Sequence, residues 1–470
     1  MREILALLIP ISLFAAKPPS PKPDVSIPAA FRNQPTAAAA DSSQAGAWWK
    51  AFGDPLLDEL IDRAATANLD IRKAQARLAE AQVSRIGTRS ALAPSVDSGA
   101  SATRLRGGFN QGITKIPSAP GGVQTGSIVS PFETTVLSGA FNMRWEADVF
   151  GGLRKALKAS TADAQAAEEN VRDVQTIVRA EVARNYIEMR AAEDQIAIVR
   201  ANIASESDLL NLIKVRADAG LASDLDVERQ AAQLAIVTAA LPDFDTLRLQ
   251  AAHRIAVLLG EQPAALTDRL QAAAPHLSVP AVPAAVPSEL LKRRPDIRRA
   301  ESQITAAYAR SGAARADLYP KLVITGLTGR QSTDLSGLTL GAGNFFSIGP
   351  GISLPIFNYG RIRSHIAVQD AQLEQALRAY EQDVLAAFEE TENAFVARDR
   401  AAERQGALQT GSTAAKRSVE LAQELYIRGL ADFLTVLDAQ RQQFQIDREL
   451  AASNAAVLRG TVALHKALGH

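Results

Sequence analysis

Residues Lys321 to Gly360 read KLVITGLTGRQSTDLSGLTLGAGNFFSIGPGISLPIFNYG. Eight of these residues are glycine, and only Lys321, Arg330 and Asp334 carry charge. Apolar side chains alternate strictly at Ile352, Leu354 and Ile356. A period of two belongs to a strand with two unlike faces. Residues 93–150 have the same character, with Phe141, Met143 and Trp145 alternating with Asn142 and Arg144. Ten of the chain's 24 aromatic residues fall in residues 93–150 and in the first window extended back to Tyr319. Each window is expected to form two strands joined by a loop rich in Gly, Pro and Ser. Alternating strands with aromatic ends are the weak signature of a membrane-spanning β-barrel. A soluble hairpin capping a helical bundle has the same pattern.

Outward from the windows the sequence asks for helix. From Gly152 to about Ile203 apolar residues recur at Val171, Val174, Val178, Val182 and Tyr186. From Arg361 to about Arg404 the series includes Ile362, Ile366, Leu373, Leu377 and Tyr380. Steps of three, four and seven make a sustained seam, as in coiled coils. Each stretch predicts a helix of about 45–50 residues, roughly 70 Å long.

The chain also repeats itself. Asp70-Ile71-Arg72 with Pro94 recurs 226 residues later as Asp296-Ile297-Arg298 with Pro320. Phe150 and Arg154 recur 207 residues later as Phe357 and Arg361. Gly220-Leu221-Ala222 with Gly260 recurs 209 residues later as Gly429-Leu430-Ala431 with Gly469. Three correspondences in one order imply two copies of one unit. The expected organisation is a first repeat over residues 54–274, with a helix, a hairpin at 93–150 and two long helices. A Pro-rich linker follows at 275–287. The second repeat, 288–470, has a helix, a hairpin at 319–357 and two long helices.

At the N-terminus, MREILALLIPISLFAA places Arg2 before an apolar run from Ile4 to Ala16. That run is too short to span a bilayer but suits a signal peptide over residues 1–16, followed by an extended leader over 17–53. Lys plus Arg and Asp plus Glu are both 51, so no net basic field draws in nucleic acid. With no cysteine in 470 residues, disulfides, thiol catalysis and cysteine metal sites are excluded. The five histidines are scattered, and HExxH, GxSxG and P-loop motifs are missing. No enzyme, cofactor or metal site is expected.

Two hairpins give four strands, and four strands cannot close a barrel in lipid without unpaired edges. Several chains must pool strands, and three would supply twelve. The quoted motifs, together with Trp48-Trp49, Phe52-Gly53-Asp54-Pro55-Leu56, Trp145 to Gly151, Arg293 to Glu301 and Tyr426 to Gln440, resemble the TolC-like outer membrane factors, nearest to their NodT/OprM-type efflux branch. The resemblance implies an α+β membrane protein: a long α-helical coiled-coil tunnel plus a transmembrane β-barrel shared by a homotrimer, four strands per chain. It implies residence in the outer membrane lipid, docking to a periplasmic adaptor and an inner-membrane RND-type transporter, and passive efflux of small molecules. Many members carry a lipidated cysteine after the signal peptide, where this chain has Lys17.

The resemblance also points to a periplasmic constriction near the turn at Gly429. Leu434 and Asp438, four residues apart, would form successive rings of three, with Tyr426 and Arg441 making locking contacts nearby. Asp438 also suits an ordinary solvated helix face. In the first copy Arg229 stands where the second has Asp438. Asp224 or Asp226 would pair across the closed end, or simply favour a helix N-terminus. Two other functions fit the long seams: a type I protein-secretion duct of the same fold, and a structural coiled-coil envelope protein.

Overall fold

The computed structural model describes residues 25–34, 42–110, 129–270, 277–282, 285–334 and 343–470. Residues 1–16 and Lys17 lie outside them. The elements are α1 (Pro55–Ala67), α2 (Leu69–Ser90), β1 (Ser95–Asn110), β2 (Val129–Ala147), α3 (Gly152–Asp218), α4 (Asp224–Ala239), α5 (Leu241–Leu258) and α6 (Thr267–Leu270). They continue with α7 (Pro287–Arg293), α8 (Pro295–Ala316), β3 (Lys321–Ser332), β4 (Asn344–Ser353), α9 (Arg361–Ile427) and α10 (Phe433–Ala467). The chain divides into two compact units, one of residues 1–79, 165–304 and 375–470, the other of 80–164 and 305–374.

The second unit contains an antiparallel sheet in the order β1-β2-β3-β4. The two hairpins therefore join through β2 and β3, with Leu137 opposite Ser332 and Ala147 opposite Leu322. Residues opposite one another share a face. One row across the sheet is Val96, Met143, Gly326 and Ile348, and its face also carries Phe141, Ile324 and Ile352. The other face carries Asp97, Ser101, Ser138, Asn142, Thr325 and Gln331. Nothing described covers the apolar face: Ile352 is 77% exposed and Ile348 60%. On β2 that face stays uncharged from Leu137 to Ala147 and reaches Glu133 at the loop end, where Arg104 Nε donates to Glu133 at 2.9 Å. A tilted strand needs about 9–11 residues to cross a bilayer. At the other end Trp145 Nε1 donates to the Leu92 carbonyl at 3.0 Å. Among the described residues, the outer edges of β1 and β4 pair with no strand.

The first unit is helical. Its main core gathers Phe52, Leu57, Leu60, Tyr186, Ile255 and Val462. Trp48 and Trp49 are sealed into it, Trp48 stacking on His465 with ring centres 5.0 Å apart. Further up the leader, Phe31 packs on Phe388 and Phe395, and Arg32 N–H donates to Glu392 at 2.7 Å.

The helices differ from expectation in two ways. α3 and α9 each run 67 residues, well past Ile203 and Arg404. α9 passes through Gly406 and Gly411 because Ala415, Val419 and Ala422 keep the seam buried, and packing outweighs the cost of glycine, about 1 kcal/mol each. The second long helix expected in the first repeat is two shorter ones, α4 and α5. Pro242 lacks an amide proton and its ring crowds the preceding turn, so the helix restarts at Leu241.

The repeat offset also needs correction in one place. Gly151 and Gly360, with φ of +76° and +80°, each precede a 67-residue helix and stand 209 residues apart. Phe150 thus corresponds to Tyr359, not Phe357, and a single offset serves from the end of each hairpin to the end of each repeat. The helix ends agree: Asn68 Nδ2 donates to the Leu258 carbonyl at 2.8 Å, and Arg294 Nη1 to the Ala467 carbonyl at 2.7 Å. The basic cluster at Arg293–Arg294 and Arg298–Arg299 is consumed internally, Arg294 pairing with Asp296 and Glu390, Arg298 with Glu169 and Arg299 with Asp173.

Candidate constriction at the helix turns

Both long helices end on a glycine with positive φ. Gly220 and Gly429 both have φ +71°. At the first turn the Gly220 amide donates to Ala217 O and the Leu221 amide to Arg216 O; at the second, Gly429 donates to Tyr426 O and Leu430 to Leu425 O. These are the paired bonds that satisfy the last carbonyls of a helix. The next helices are capped at matching positions. Ser223 and Asp226 form a reciprocal capping box at α4. Asp432 accepts from the Thr435 amide at 3.0 Å and its hydroxyl at 2.6 Å at α10. Those two bonds hold the Asp432 carboxyl below the usual range.

Side chains then join the two turns. Tyr426 is buried, edge-on to Phe433 at 5.9 Å, and the Arg216 guanidinium sits 4.6 Å from its ring centre. Leu209, Ile213, Val419, Val436 and Leu437 complete this small core. α10 turns Phe433, Val436, Leu437 and Gln440 inward. Leu434, Asp438 and Arg441, spaced by four and three, form the exposed stripe opposite, Leu434 being 41% exposed. Arg441 Nε donates to Gln233 Oε1 of α4 at 2.9 Å. Asp438 has no hydrogen bond or ion pair among the described residues.

Of the residues read from the sequence, Leu434, Asp438 and Arg441 therefore share a face, and Tyr426 lies beneath it. Tyr426 packs against Arg216 and Arg441 bonds to Gln233, two partners that no local sequence pattern selects. Asp224 is exposed at the first turn of α4. Asp226 spends its carboxylate on Ser223, with Arg229 4.0 Å away. Within one chain neither acid meets Tyr426 or Arg441.

An amphipathic four-stranded sheet with two open edges, together with long helices paired through matching glycine turns, defines an outer-membrane channel subunit. The chain matches the outer membrane efflux protein family over residues 60–261 and 286–470, and belongs to that family. It is 30% identical over 469 residues to the pyoverdine export outer membrane protein OpmQ of Pseudomonas putida, covering 100% of this chain and 97% of that one. It is 32% identical over 426 residues to the toluene efflux pump outer membrane protein TtgF of Pseudomonas putida, covering 90% and 85%. Among solved structures, the outer-membrane channel OprN superposes with a TM-score of 0.82 at 33% identity, over 93% of this chain and 98% of that one. The protein is an efflux component of the bacterial outer membrane with the TolC-like α+β fold.

Proposed function

We propose that three copies pool their sheets into one twelve-stranded barrel and conduct small molecules passively from periplasm to exterior. The observation that carries this reading is the pair of unpaired edges, β1 and β4, flanking an exposed apolar face. In hydrocarbon each bare backbone group costs several kcal/mol, so an edge must find a partner, and closure by symmetry supplies one. The polar face then lines the lumen. The chain would comprise a signal peptide and leader, a first copy over 54–274, a linker over 275–287 and a second copy over 288–470.

In this reading Leu434 and Asp438 line the narrowest point. Energy comes from an inner-membrane RND-type transporter reached through a periplasmic adaptor, and the duct does no chemistry of its own. Pyoverdine and toluene, named for two of the relatives, are the compounds to try first as cargo. The test is purification in detergent with light scattering, followed by conductance in planar bilayers. A trimer that conducts supports the reading; a monomer that stays in solution without detergent overturns it.

A further inference from the structure

Val199, Glu206 and Ile213 follow one another at seven-residue steps on α3, and all three are fully buried at 0% exposure. A carboxylate thus occupies a seam position between two aliphatic ones, where burying a bare charge is costly. Its neighbour is Gln230 of α4, also at 0%, whose Nε2 donates to Glu206 Oε2 at 2.5 Å and to the Glu206 carbonyl at 3.0 Å. Each side chain is left with one buried oxygen without a partner, Glu206 Oε1 and Gln230 Oε1. Two acceptors cannot satisfy each other. A single proton on Glu206 Oε1 would serve both, closing a ring in which acid donates to amide oxygen and amide nitrogen donates to acid oxygen.

We propose that Glu206 is carried as a neutral acid paired with Gln230, and that losing this proton draws Arg441 off Gln233 and loosens the constriction. The first half rests on the two orphaned oxygens. The second half rests on the constriction reading above. Around the pair, α4 presents Gln230 and Gln233, while Arg229 is turned to Asp226. α10 presents Arg441, the charged group that acts on Glu206 among the described residues. Burial raises the Glu206 carboxyl, opposed by Gln230 and Arg441, which agrees with a proton retained above the ordinary range. Once that proton passes to water, the Gln230 amide supplies a neutral hydrogen bond, and among the described residues the Arg441 guanidinium is the positive charge that acts on the carboxylate. Arg441 stands three residues from Asp438 on the exposed stripe, so its movement is felt at the ring. Protonated, the pair leaves Arg441 on Gln233. Ionised, it competes for that arginine.

The test uses the full-length channel in two measurements. Infrared difference spectra at neutral pH should show a protonated carboxyl carbonyl band that Glu206→Gln abolishes, the amide preserving the shape of the neutral acid. A wild-type spectrum without that band overturns the assignment. In planar bilayers, wild-type conductance should rise as pH climbs through the loss of the band, and E206Q should lose that rise while keeping the low-pH conductance. If the band is present but E206Q follows the wild-type conductance curve, the coupling to Arg441 is overturned while the trimeric channel stands.

Discussion

Four glycines allow the cost of a backbone conformation to be separated from the cost of a contact. Gly220, Gly429, Gly260 and Gly469 have φ between +71° and +76°. A methyl group at Gly220 or Gly429 would meet nothing within 4 Å. At Gly260 it would lie 2.9 Å from the Ala67 carbonyl oxygen, and at Gly469 3.1 Å from Arg294 Cα. Alanine at any of the four incurs the left-handed penalty of about 1–2 kcal/mol. At Gly260 the clash is with backbone at the joint between α1 and α2, which is held by Asn68 bonded to Leu258 O and capping Asp70 and Ile71. Relief requires moving that joint, a further ~1–3 kcal/mol as in other overpacked sites. Gly260→Ala should therefore lose about 2–5 kcal/mol and Gly429→Ala about 1–2. The assay is thermal unfolding of purified protein followed by circular dichroism at one fixed heating rate, with Gly220→Ala and Gly469→Ala completing the square. Equal losses at Gly260 and Gly429 would refute the contact argument.

Asp438→Ala, especially combined with Leu434→Ala, should raise conductance through purified channels; unchanged conductance would remove both residues from the constriction. His465 and His470, with Nδ1 atoms 3.3 Å apart, are pushed down by burial to about 3 and about 4. Unfolded histidine titrates near 6.5, so the folded chain binds fewer protons below that value, and stability should fall as pH drops from about 6.5 towards 3. His465→Gln should flatten that slope in melting curves. Trp48→Ala should cost about 3–5 kcal/mol because the ring is fully enclosed and stacked on His465; a loss under 1 kcal/mol would show that the leader does not anchor the core.

What could be read from the sequence was what depends on spacing. The period of two in residues 319–360 and the heptad steps of α3 and α9 come from burial on one side, so the elements were visible before their partners. The turns were legible for a different reason. Glycine at positive φ and Ser or Asp at a cap are local requirements, and Gly220 with Ser223 and Gly429 with Asp432 satisfy them without help from elsewhere. The continuation of α9 past Arg404 was not legible, since Gly406 and Gly411 look like breaks until the packing of Val419 and Ala422 is known. Arg216 against Tyr426 and Gln233 against Arg441 could not be read either, because each joins residues about 210 apart through a geometry that no local pattern encodes. Glu206 carries a signal of its own, since it interrupts the seven-residue series of Val199 and Ile213.

If the constriction closes as proposed, the duplication gives that closure a direction. Identical copies would place the same residue at both turns, and the two helix pairs would respond alike to any force. Here the scaffold is kept, with matching glycine φ values and caps, while the side chains diverge: Arg229 faces Asp226 in the first copy, where Asp438 stands without a described partner in the second. The contacts across the turns run from one copy to the other, from Arg216 to Tyr426 and from Gln233 to Arg441. Movement of α10 therefore cannot leave α3 and α4 undisturbed. A constriction of the proposed kind needs few residues, because long helices would transmit a shift and the contacts at Arg216 and Gln233 would decide when it occurs. Replacing Arg216 with Met, which keeps the apolar stem over Tyr426 and removes the charge, should weaken the lock by about 0.5–2 kcal/mol. Conductance should then rise without loss of the folded trimer. If Arg216→Met left conductance unchanged, the Tyr426 contact would be packing alone and the lock would have to reside in Gln233 and Arg441.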